Sequence, residues 1–329
     1  TPHIKDISLI NYFTSKGIDM KTTDSNGNGI FNYAAKAGNI PLMNYLLKQG
    51  ISYKKLNKQG ENAMILASRG IRNKSNSLKS FQYLESLGIS PKIISKNGIT
   101  PLHAISYRGK DIEIFEYFLS KGVDINQADD KGNTPFMNAA YMNEAIIVSF
   151  LSDHVRDVNH QNKKGMTALS NAIQRNSIEV IKSLLDIGAD VHIKDKKGNT
   201  LSYYLIKSLR DKNLDTFKQK VAIVSQKGLD ITQYQQDGNS LFHLAVETNN
   251  TELVQWVHSY NLNINTKNNN GLTPLQKAVM SAKNDKMIQL LVSLGADKTI
   301  KTDFGESTYD LALENELLKK NNINIEFLK

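Results

Sequence analysis

Between Asn97 and Gly122 the chain reads NGITPLHAISYRGKDIEIFEYFLSKG, two short apolar runs separated and bounded by turn residues. Leu102, Ala104 and Ile105 recur at helical spacing until Arg108-Gly109 interrupts them. Beyond the break, Ile112, Ile114, Phe115, Phe118 and Leu119 form the apolar side of a second helix. Asn97-Gly98 is a turn dipeptide, Thr100 stands at the N-cap of the first helix and Pro101 at its first helical position, where a missing N–H costs nothing. Gly122 follows the second helix as the residue that stops it in the left-handed region. The unit is turn, helix, tight turn, helix, glycine stop.

That unit recurs. The turn glycine stands at Gly27, Gly60, Gly98, Gly132, Gly165, Gly198, Gly238, Gly271 and Gly305, at intervals of 33, 38, 34, 33, 33, 40, 33 and 34. The stop glycine keeps step at Gly17, Gly50, Gly88, Gly122, Gly188, Gly228 and Gly295, and Asn261 takes the slot once. Two residues after each turn glycine come Gly29, Asn62, Thr100, Thr134, Thr167, Thr200, Ser240, Thr273 and Ser307, all residue types that cap helices. Three independent features share one period, so the chain is a repeat array.

The pattern predicts a half repeat over 1–23, with Ile7, Leu9, Ile10 and Phe13 as the apolar side of its helix, then repeats over 24–56, 57–94, 95–128, 129–161, 162–194, 195–234, 235–267 and 268–301. A polar capping repeat fills 302–329. Repeat one predicts helices near Ile30–Lys36 and Ile40–Lys48. Two insertions, from Arg69 to Lys79 and from Lys207 to Asp215, lengthen the region between the helices of repeats two and six. In repeat four, Asp153-His154-Val155-Arg156 replaces the stop glycine, which leaves that helix end undetermined. A start in mid-repeat and a first residue other than Met read as a trimmed chain, with further repeats, a local cap or a removed leader all open.

A 33-residue period with Thr100-Pro101-Leu102-His103, and its near copies at Ser240, Thr273 and Thr134, resembles the ankyrin repeat, as do Gly188-Ala189-Asp190-Val191 and its relatives at Gly295 and Gly122. The resemblance covers essentially the whole chain. It implies an all-α ankyrin-repeat solenoid with short β-hairpin fingers, an elongated single domain in which each unit packs on its neighbours. It also implies protein recognition without catalysis, by a monomer, through the hairpin tips and the exposed ends of the first helices on the concave face. Carried over residue by residue, that rule selects Ile99, Tyr107, Arg108, Tyr141, Met142, Met166 and Arg175 as the partner-binding set. Tyr, Met and Arg are the types that anchor interfaces. The alternative is that Tyr141 and Met142 pack against adjacent helices.

Composition narrows the chemistry. With 329 residues, no cysteine, 41 Lys+Arg and 32 Asp+Glu, the chain carries a net charge of +9, which favours a partner with an acidic surface. Disulfides and thiolate chemistry are excluded. No apolar run approaches the ~18 residues that span a bilayer, and the compartment stays open. His103 and His243 close the Thr-Pro-Leu-His slot, where the family places a structural imidazole. His154, Asp157 and His160 lack metal-ligand spacing, Gly27-Asn28-Gly29 lacks the third glycine of a phosphate loop, and no carboxylate pair is placed for acid–base work. No catalytic residue, cofactor or metal is expected. A row of lysines falls along the hairpin edge at Lys54, Lys55, Lys58, Lys96, Lys131, Lys163, Lys164, Lys196, Lys197 and Lys267, but no aromatic is interleaved for base stacking. Nucleic acid is therefore not the expected main partner. The rival reading makes the chain the targeting or regulatory segment of a larger enzyme or effector.

Overall fold

A turn that reverses the chain within four residues needs a positive φ, and glycine reaches it without strain. Gly98 and Gly132 sit at φ +74° and +79°, and a Cβ there would stand 2.9 Å from Asp129 Cα and 2.7 Å from Lys163 N. The glycine therefore also lets one hairpin lie against the next. Lys58 N donates to Asn26 O at 2.9 Å, Lys96 N to Gln59 O at 2.8 Å and Asp130 N to Asn97 O at 3.0 Å. Among the described residues these fingers are turns with one isolated bridge, Thr23 to Gly29, and form no regular strand.

The computed structural model describes residues 12, 14–17, 19–71, 76–107, 109–142, 144–175, 177–209 and 213–329. Arg108, the cores of both insertions at 72–75 and 210–212, and Ile7, Leu9, Ile10 and Phe13 of the expected opening helix lie outside them. The chain divides into two compact units, unit 1 (residues 1–172 and 182–189) and unit 2 (173–181 and 190–329).

In unit 1 the paired helices are α1 Ile30–Lys36 and α2 Ile40–Lys48, α3 Ala63–Arg69 and α4 Leu78–Ser86, α5 Pro101–Ser106 and α6 Ile112–Ser120, α7 Pro135–Met142 and α8 Ala145–Ser152. Helices α9 Ala168–Arg175 and α10 Ile178–Asp186 come next in the chain. Unit 2 continues with α11 Leu201–Lys207 and α12 Leu214–Ser225, α13 Leu241–Val246 and α14 Thr251–His258, α15 Pro274–Ser281 and α16 Lys286–Ser293, α17 Thr308–Glu314 and α18 Glu316–Lys320. A short 3-10 turn, Glu326–Leu328, follows.

First helices pack on first helices, α1 on α3, α3 on α5 and α5 on α7 in unit 1, and α11 on α13, α13 on α15 and α15 on α17 in unit 2. These helices are six to eight residues long, too short to persist alone, so burial supplies what propensity does not. Helix α5 is buried along its whole length, and Phe81 and Phe118 meet edge to face at 5.1 Å with no exposed surface. On α6 the buried set is Ile114, Phe115, Tyr117 and Phe118, whereas Ile112 and Leu119 are half-buried. Tyr117 earns its place because its hydroxyl donates to Glu85 Oε2 at 3.0 Å, the partner a buried phenol requires.

Where repeat four lacks a stop glycine, α8 ends at Ser152 with His154 N on Leu151 O at 3.0 Å, and Arg156 N is received by Asn126 Oδ1 at 2.9 Å. The same side-chain contact from the preceding hairpin occurs beside Gly295, where Asp297 N donates to Asn265 Oδ1 at 2.8 Å. In repeat six the first helix ends at Lys207 rather than running on, and the following helix α12 reaches 12 residues.

Candidate protein-binding face

Most hairpins are organised by a side chain three positions ahead of the turn glycine, although at Gly238 that residue, Gln235, turns to Thr200 and Asp237 accepts from Asn239 N instead. Asp129 Oδ1 accepts from Lys131 N and Asn133 N, both at 2.8 Å. Asn57, Asn162, Asp195 and Asn268 do the same in their repeats. The amide of Asn57 then donates to Asn28 at 3.1 Å, that of Asn162 to Asn133 at 2.9 Å and that of Asn268 to Asn239 at 2.8 Å, joining neighbouring fingers. The sequence reading passed over this position. An Asp or Asn three residues before a periodic glycine was the available signal.

The helix starts are locked the same way. His103 Nδ1 accepts Thr100 N at 3.2 Å, so its proton sits on Nε2, which donates to Asn133 O at 3.0 Å in the next finger. His243 repeats this with Ser240 N at 3.1 Å and Leu272 O at 2.9 Å. Gln276 performs it with an amide, Oε1 accepting Thr273 N at 2.9 Å and Nε2 donating to Ile300 O at 2.8 Å. Both histidines are fully buried, and burial first of all holds their pKa below the ordinary 6.5. They are linkers, as the motif implied. His154 and His160 bond to Phe150 O and Gly132 O, and no cluster of metal-ligating side chains occurs among the described residues.

The sequence-selected site residues are placed as follows. Tyr107 and Tyr141, at the ends of α5 and α7, are each 37% exposed. Burial raises the Tyr107 pKa, and the charges of Asp129 and Tyr141 raise it further while Arg69 lowers it, so these groups share one neighbourhood in unit 1. Ile99, Met142 and Met166 are half-buried in the same unit. Arg175 is exposed at the end of α9 and belongs to unit 2. With Arg108 outside the described residues, the arginine beside Tyr107 is Arg69, which pairs with Glu61. Glu61 in turn accepts from Asn57 Nδ2 at 2.8 Å.

Unit 2 carries a second concavity, about 500 Å³, bordered by Lys207, Glu247, Lys277 and Met280. Lys207 and Lys277 each reach a different oxygen of Glu247 at 2.6 Å. Burial alone would raise the Glu247 pKa, but the two ammoniums more than reverse it and hold it low. Met280 is 54% exposed at the rim.

No helix among the described residues is long and apolar enough to cross a membrane. A family model described as ankyrin repeats in three copies matches residues 71–161, 102–195 and 205–302. An L-asparaginase of Dirofilaria immitis is 31% identical over 153 residues, 46% of this chain and 25% of that protein. Alpha-latrotoxin-Lg1a of Latrodectus geometricus is 32% identical over 102 residues, 30% of this chain and 7% of that protein. The chain thus spans a quarter or less of the length of these two relatives. Among solved structures, the human ASB11 ankyrin repeat domain aligns with a TM-score of 0.53 at 17% identity, over 68% of this chain and 97% of that one.

Proposed function

Because the chain belongs to the ankyrin repeat family, whose repeats generally act as protein–protein interaction modules, we propose that it recognises another protein without catalysing a reaction. The observation that carries this reading is the pair Tyr107 and Tyr141, partly exposed on successive repeats beside a braced Arg69. Rigid aromatics next to an arginine supply contact area at little entropic cost. The partner presents an acidic surface, drawn by the +9 net charge. Ile99, Met142 and Met166, half-buried in the same unit, widen the apolar part of the face.

The test is to isolate the bound protein with the full chain, identify it by mass spectrometry, and measure its affinity for Tyr107→Ala, Tyr141→Ala and the double variant. Two central tyrosines should each contribute about 1–3 kcal/mol, so the double variant should bind at least about 30-fold more weakly at unchanged melting temperature. Unchanged affinity with the fold intact rejects the tyrosine face.

A second reading keeps the same chemistry but makes the chain the recognition or regulatory segment of a larger enzyme or effector. The limited span of the two relatives favours it. Sequencing the full transcript decides between them.

A further inference from the structure

Charge is unevenly spread along unit 1. Residues 36–110 hold 13 Lys and Arg against Glu61 and Glu85 alone, an excess of 11 positive charges. From Asp111 to Asp130 the balance reverses, with six carboxylates against Lys121. The basic stretch is therefore a bounded patch and not a continuous track along the array.

Within it, the fingers that turn at Gly60 and Gly98 present Lys54, Lys55 and Lys58, then Lys92 and Lys96, all exposed. Among the described residues none of these five meets a carboxylate, while Arg69, Lys110 and Lys121 of the same unit each do. Leu56 and Ile94 stand four residues ahead of Gly60 and Gly98, so they occupy the same place on adjoining fingers. They are 48% and 49% exposed. The Lys96 N to Gln59 O bond of 2.8 Å holds those two fingers together. On the next fingers the slot passes to Ala128 and then to Gln161, so the apolar pair ends there, while the lysine row continues at Lys131, Lys163 and Lys164.

A purely electrostatic surface for phosphate has no use for bare aliphatic side chains, whose burial is favourable only against apolar atoms. We propose that the edge formed by residues 54–58 and 92–96 docks an acidic polypeptide segment whose carboxylates are interleaved with bulky apolar side chains. This rests on the protein-recognition reading above and names the chemistry of the partner at a surface separate from the tyrosines. Lysines steer and hold the carboxylates, and Leu56 and Ile94 take the apolar side chains between them.

The test titrates the full chain with two synthetic peptides of equal charge, one alternating Glu with Leu and one alternating Glu with Ser, at about 50 and about 300 mM salt. A duplex oligonucleotide of matched charge is the third probe. The Glu/Leu peptide should bind at least about tenfold tighter than the Glu/Ser peptide. Leu56→Ser with Ile94→Ser should erase that difference, and Lys54→Gln, Lys58→Gln and Lys96→Gln together should weaken both peptides. Tyr107→Ala with Tyr141→Ala should leave both titrations unchanged, and melting curves confirm that every variant is folded. Equal affinity for the two peptides, or tighter binding of the duplex through the same lysines, overturns the proposal. Loss of peptide binding in the tyrosine variant removes the finger edge while retaining protein recognition, so the two readings fail separately.

Discussion

Lysines on the fingers that turn at Gly60 and Gly98 and lysines on the first helices of repeats six and eight stand on the same scaffold and are treated in opposite ways. In unit 1, Lys54, Lys58 and Lys96 face water without a carboxylate. In unit 2, Lys207 and Lys277 converge on Glu247, and Lys267 reaches Asp303 at 2.9 Å. Beneath the surface the two units are alike: first helices stack on first helices, and in both a side chain from a helix start reaches the next finger, His103 in unit 1 and His243 and Gln276 in unit 2. The difference teaches that the inward and finger-closing positions maintain the repeat, whereas the outward positions, where the proposed recognition surfaces lie, differ from one repeat to the next.

The sharpest way to break that comparison is to empty the core on both sides of it. Phe118→Ala in unit 1 and Phe242→Ala in unit 2 remove fully buried rings and should each cost about 3–5 kcal/mol in urea unfolding. Costs that differ by more than about 2 kcal/mol would show that the two cores are not equivalent.

Next come the linkers. His103→Ala strands Thr100 N and removes one of the two bonds to Asn133 O, and should cost about 1–3 kcal/mol, whereas His103→Gln should stay within about 1 kcal/mol because Gln276 already performs that role. The same pair of variants separates the units by pH. Burial lowers the folded-state pKa of His103 and His243 below 6.5, so the unfolded chain binds more protons. Stability should be full above that value and fall as pH drops below it toward the folded values. His103→Gln should reduce this acid sensitivity, and Gln276→His should add to it, as read from unfolding midpoints across the range.

The smallest effect tests the surface itself. Glu247→Gln should cost about 0–1 kcal/mol, more at low than at high salt, because it leaves two ammoniums facing each other. Lys58→Gln should change nothing measurable in stability. A substantial loss from Lys58→Gln would give that lysine a structural partner and weaken its assignment to recognition.

Much of this was legible beforehand. Apolar spacing at Ile30–Lys36 and Ile40–Lys48 located both helices of repeat one to the residue. Asn261, expected to stand in for a stop glycine, adopts φ +53°. These features are local, since a cap, a stop and an amphipathic run express their preference within one turn of chain. The candidate site was legible only as positions. The rule that first-helix ends face outward led to Tyr107 and Tyr141, which are exposed, and to Arg108, which lies outside the described residues, whereas Arg69, whose charge acts on Tyr107, was not among the positions it selected. Neighbours across repeats depend on how far each rung is rotated, which no single repeat encodes.

By itself, the order of amino acids determined the period, the helix limits and the residues that had to be buried, because these follow from contacts between residues close along the chain. Tertiary packing alone decided which polar groups would be enclosed and with whom. Tyr117 is taken inward because Glu85, on the neighbouring repeat, receives its hydroxyl. Lys220, which reads as a solvent-facing charge between Gln219 and Val221, is 1% exposed against Ser208 with its pKa lowered by burial to about 8. A polar group can leave water only where a partner waits for it, and that partner comes from a residue that only folding brings near.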